Sequence, residues 1–126
     1  MMTIVLALLA VQAPPADPGA QAQFADQDIV VEANRLDMWR GEASFARKTP
    51  RCKTIRSTGD RLIDRIGCDA MTQCIVQTRG KFEISRKNWK NVAPEDMAEW
   101  HRLMGRCVKD RREQLLRAHV AVRRGR

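Results

Sequence analysis

The 126-residue chain carries 23 Lys and Arg against 15 Asp and Glu, a net charge of +8 at pH 7, together with four cysteines and no tyrosine. A chain this short suits one small domain, which buries a smaller share of its surface than a large one and gains more from cross-links. The apolar run at residues 4–11 is far below the roughly 20 residues that span a bilayer, so it excludes a stable membrane anchor at that position.

Followed by Pro14, Pro15 and Pro18 and by Ala20-Gln21-Ala22, the run reads as a secretory signal peptide over residues 1–22, cleaved before Gln23. It lacks a basic n-region, but the prolines would at once end a short buried helix, the competing reading. No cysteine lies near the cleavage site to suggest a lipid anchor. The expected location is therefore the periplasm or the outside of the cell. Residues 23–126 keep 23 basic and 14 acidic residues, a net of +9, and read as a single α+β domain.

Residues 28–35, D-I-V-V-E-A-N-R, open with the β-branched run Ile29-Val30-Val31 and are expected to form the first strand. Met38, Trp39 and Phe45 then supply bulky apolar groups, and Gly41 and Pro50 punctuate what reads as one strand of a hairpin.

Cys52, Cys68, Cys74 and Cys107 follow the spacing C-x15-C-x5-C-x32-C. In an exported chain an even count points to disulfides. Without a C-x2-C pair, and with His101 and His119 far apart, the pattern argues against both a zinc site and a thioredoxin-like site. Residues 52–57 read as a strand, residues 57–60 as a turn and cap, and Arg61 starts a helix. Five strand steps advance about 16 Å and eight helical steps return about 12 Å, which brings Cys68 level with Cys52. On one continuous helix Cys68 and Cys74 lie about 9 Å apart along the axis and point different ways, beyond disulfide reach. The preferred pairing is Cys52–Cys68 with Cys74–Cys107, ahead of Cys52–Cys74 with Cys68–Cys107. A helix end at Gly67 would instead allow Cys68–Cys74.

The residues Cys52, Ser57-Thr58-Gly59, Ile63-Asp64 and Cys68 resemble, in order and register, the opening unit of the C-terminal domain of TonB-type energy transducers. That resemblance implies an α+β module that pairs with an extended segment of a partner in the envelope. Residues 28–35 are also similar to the short box of TonB-dependent receptors, although the ordinary strand is the preferred reading. Both likenesses imply a Gram-negative envelope.

Residues 75–85 fit a hairpin turning at Gly80, yet Phe82, Arg86 and Trp89 also fit helical spacing, and the pattern does not choose between them. From Pro94 a helix to about Val122 is expected, with Glu95 and Asp96 at its positive end and arginines at the other. Met97, Trp100, Met104, Cys107, Val108, Leu115 and Val122 form its apolar stripe, broken by Arg111. The first half is expected to dock on the core, clamped at Cys107, and the more basic second half to project.

The chain has no G-x-S-x-G, H-E-x-x-H or phosphate-binding glycine loop, and Asp60, Asp64 and Asp69 suit turn, cap and surface duties. A non-enzymatic protein is expected, without cofactor or metal. Two functions fit: a protein-interaction module working by strand addition to an exposed sheet edge, or a binder of lipopolysaccharide, anionic lipid or nucleic acid. The second would use Arg106, Lys109, Arg112, Arg117, Arg123, Arg124 and Arg126. Nucleic acid is the weakest of these ligands, because no aromatic side chain follows Trp100 to stack with bases.

Overall fold

The computed structural model of the protein describes residues 18–125, with side chains from Gln27 onward. Helix α1 (Pro18–Asp37) leads into strand β1 (Arg40–Ala43) and strand β2 (Cys52–Arg56), followed by α2 (Arg61–Thr78) and α3 (Pro94–Arg124). Short 3-10 turns at Arg79–Phe82 and Trp89–Asn91 connect the last two helices. The chain is thus a small disulfide-stapled α+β domain with one two-stranded antiparallel sheet and a long C-terminal helix. The signal-peptide reading falls mostly on residues 1–17, outside the described residues; residues 18–22 form the first turns of α1.

The strand expected at residues 28–35 is helical instead. Ile29, Ala33 and Leu36 recur at helical spacing on the inner side, while Val30 and Val31 are more than half exposed. One buried stripe outweighs the strand preference of three β-branched residues, since local propensity is weaker than tertiary packing. Glu32 also faces inward, only 4% exposed, where Arg35 and Arg123 approach its carboxylate at 3.6 and 3.3 Å.

The strand-turn-helix unit at Cys52 has the expected order, and Cys52 is bonded to Cys68 with their Cα atoms 5.5 Å apart. Gly59 takes a positive φ of 88° in the turn, where a side chain would be strained. Asp60 caps α2 by accepting hydrogen bonds from the Leu62 and Ile63 backbone N–H groups. One turn on, Asp64 accepts from the Ser57 hydroxyl, from Thr58 N at 2.8 Å and from the Thr58 hydroxyl at 2.7 Å.

For Asp64, desolvation pushes the carboxyl pKa up, but the three hydrogen bonds outweigh it and hold the group below its ordinary value. A depressed folded-state pKa means that the ionised carboxylate stabilises the turn above the unfolded-state value of about 3.9, and that this support is lost as pH falls through the folded-state value. The stability difference between wild type and Asp64→Asn should therefore be constant near neutrality and shrink in acid. Urea midpoints measured across pH check this; a difference that grows on acidification would contradict it.

Gly67 does not end the helix. Trp39 lies across it: a Cβ on Gly67 would fall 2.7 Å from the indole ring, and one on Gly41 of β1 would fall 2.2 Å from it. The indole, 3% exposed, thus fills a slot between sheet and helix that only glycines leave open, and its Nε1–H donates to Thr54 Oγ1 at 3.0 Å. Continuing through Gly67, α2 buries Ile63, Ile66, Ala70, Cys74 and Ile75. It ends at Thr78, so the hairpin offered for residues 75–85 does not form; Glu83, at φ 54°, turns the chain instead.

Cys74 is bonded to Cys107, Cα to Cα 5.8 Å, which ties α2 to α3. The second half of α3 does not project from the body. Leu116 and Val120 are 2% and 1% exposed, while Val122, placed in the stripe by the sequence, is 58% exposed. The working spacing after Met104 runs through residues 108, 112, 116 and 120, a row of i, i+4 neighbours on one helix face. Arg123 and Arg124 close the end of α3 onto α1 by pairing with Glu32 and Asp28.

Candidate anion-binding cleft

The basic residues that the sequence groups on α3 do not form one surface. Arg106 and Lys109 are exposed. Arg112 packs its guanidinium 5.6 Å from the centre of the Trp39 ring, and burial pulls its pKa below the ordinary value against the opposing pull of Asp37. Arg117 pairs with Glu113 at 3.0 Å, Arg123 with Glu32 and Arg124 with Asp28 at 2.6 Å. Arg126 lies outside the described residues. A helix face counted as strongly cationic in sequence is therefore partly neutralised by its own chain.

A second concentration of cations is assembled from segments some 35 positions apart. The loop joining β1 to β2 carries Arg47, Lys48 and Arg51, and the turn before α3 carries Arg86, Lys87 and Lys90. Arg79, at the end of α2, holds the first segment in place by donating to the carbonyls of Phe45 at 3.1 Å, Arg47, and Lys48 at 2.6 Å. Ser44 closes the loop from the other side: its N–H donates to Arg51 O at 2.8 Å, and its hydroxyl accepts from Arg51 N at 2.9 Å.

Aromatic packing fixes the second segment. The Phe45 ring meets Trp89 edge-on, with centroids 5.5 Å apart, and meets buried Trp100 at 5.3 Å. Ile84 is buried beside them in the same apolar cluster as Trp100 and Ile75. The result is an open cleft of about 810 Å³ with Phe45 and Trp89 on its floor and Arg47, Lys48, Arg51 and Arg86 around it.

Among the described residues no carboxylate, imidazole or thiol lines this cleft, and none of its four cations is engaged in an ion pair. Guanidinium groups bind phosphate or carboxylate through paired N–H donors, and beside them lies half-buried Trp89, with Phe45 edge-on to its ring and Lys90 Nζ 5.5 Å from the ring centre. The cleft can hold an anion with a flat or apolar portion. Among the described residues no cluster of His, Cys, Asp and Glu is arranged to hold a metal ion, and no helix is long and apolar enough to cross a membrane.

The signal missed in the sequence was the pair of short basic clusters R-K-T-P-R at 47–51 and R-K-N-W-K at 86–90, the second of which contains an aromatic residue. Neither is prominent alone, and nothing local says that they meet. Fold and cleft together define a small disulfide-stapled α+β domain with a cationic, aromatic-floored cleft. No protein-family model, curated protein or solved structure matches the chain.

Proposed function

We propose that this is an exported, non-enzymatic binding protein of the cell envelope, and that its cleft holds an anionic envelope polymer of the lipopolysaccharide or anionic-lipid type. The observation that carries the reading is the cleft itself: four cations from two segments, with no carboxylate among the described lining residues, beside half-buried Trp89. Export is supported by the sequence of residues 1–22 and is compatible with two disulfides, which persist in oxidising compartments. Pairing of Arg117, Arg123 and Arg124 with carboxylates of the same chain favours the cleft over α3 as the polyanion site.

Lipopolysaccharide binding, followed by calorimetry at low and high salt, tests this. Reversing Arg47 and Arg86 to Glu should weaken binding by at least about tenfold, the equivalent of losing one charge-assisted contact. Reversing Arg106, on the exposed face of α3, should leave it near wild type. Equal loss from both variants would return the site to α3, and salt-independent binding would remove the charge-based reading altogether.

Strand addition is the second reading, favoured by one feature: among the described residues β2 has only β1 beside it, and the same strand carries exposed Ile55 with the basic residues Lys53 and Arg56. Its free edge could take an extended acidic segment, as the TonB-like resemblance implies. Edge lysines also discourage unwanted pairing, which is why the cleft is the leading proposal.

A further inference from the structure

On another part of the surface, residues of α1, α2 and α3 line an open, mostly apolar groove of about 730 Å³. Ile29 and Leu36 of α1, Met71 of α2, and Met104, Val108 and Leu116 of α3 line it. That volume is within the roughly 300–1,000 Å³ typical of small-molecule sites, and two methionines give its walls adaptable, polarizable surface. The polar residues along the groove are Lys109, Arg112 and Arg117 against Asp37 and Glu113. Glu113 is paired with Arg117, while Lys109 is exposed. The Nε of Arg112 is buried without a hydrogen-bond partner among the described residues, while Asp37, in the same lining, acts on its charge.

From this charge pattern we infer that the groove binds a single-chain amphiphile with a carboxylate head, a fatty acid, whose chain lies along the apolar walls and whose head meets Arg112 and Lys109. The chain's own apolar run at residues 4–11 contains no acidic residue to meet them. This inference is independent of the cleft.

Gly105 supplies a direct test. It lies in the groove lining, and a Cβ there would meet nothing within 4 Å, so a bulky side chain can occupy the groove without displacing the core. Titrating the full-length, oxidised protein calorimetrically with laurate should give saturable one-site binding, with dodecanol at least about tenfold weaker through loss of the charge-assisted contact and dodecylammonium weaker still. Gly105→Trp should abolish laurate binding while circular dichroism stays that of wild type. Arg112→Gln should remove most of the preference for laurate over dodecanol while leaving dodecanol binding in place. No saturable laurate binding, equal binding of dodecylammonium, an unaffected Gly105→Trp, or a wild-type dimer that Gly105→Trp dissociates would each overturn the inference.

Discussion

Replacing Trp100 with alanine is expected to destabilise the fold by about 3–5 kcal/mol, the range for truncating a buried aromatic side chain. The ring is 3% exposed and packs with Ile75 and Ile84 in one apolar cluster. Its Nε1–H donates to Thr78 Oγ1 at 2.8 Å, and the Thr78 hydroxyl donates in turn to Cys74 O at 2.7 Å, so the indole also secures the last turn of α2. Phenylalanine at the position should cost less, since it keeps much of the packing and loses the N–H. Urea unfolding with both disulfides intact reads the difference. A shift below about 0.5 kcal/mol for the alanine variant is the size of an ordinary surface change and would remove Trp100 from the core. Because Phe45 bridges Trp100 to Trp89, the same substitution should also loosen the cleft and weaken anion binding.

Removing the Cys74–Cys107 bond by replacing both residues with alanine is expected to cost about 4 kcal/mol by the chain-entropy estimate for its loop, against about 3 kcal/mol for Cys52–Cys68. The sequence separations of 33 and 16 set that order. The two bonds also secure different joints: Cys52–Cys68 ties β2 to α2, and Cys74–Cys107 ties α2 to α3. Non-reducing peptide mapping checks the pairing, and denaturant midpoints of the double-alanine variants check the order. A peptide joining Cys68 to Cys74 would show that the unit has been misassigned. Neither bridge faces the cleft, so variants that still fold should keep their affinity for lipopolysaccharide.

Where local geometry was sufficient, the sequence was informative. The strand, turn and helix between Cys52 and Cys68 follow from the turn residues, the Asp60 cap and the rises per residue of strand and helix, and these also rank the disulfide pairings. Pro94 and the two acids after it mark the start of α3, and its first half carries a regular stripe ending at Cys107. The class, a small stapled α+β domain, was legible from those elements alone. The candidate site was not, because its cations come from two short segments that show no pattern until they are placed side by side.

The sequence by itself determined the strand-turn-helix unit and the start of the last helix, and ranked Cys52–Cys68 first among the pairings, because each depends on residues close along the chain or on fixed covalent reach. Tertiary structure decided the rest. Residues 28–35 are a helix because Ala33 and Leu36 face a core built by distant elements, and α3 continues inward because Leu116 joins that core and Val120 is buried while Glu32 and Asp28 receive Arg123 and Arg124. Gly67, which reads locally as a possible stop, is helical because Trp39 lies against it. Charge followed the same rule: counting cations along α3 gives their number, but which of them are neutralised depends on carboxylates brought near by folding. The cleft exists because Arg79 and Phe45 hold together segments that the sequence keeps apart.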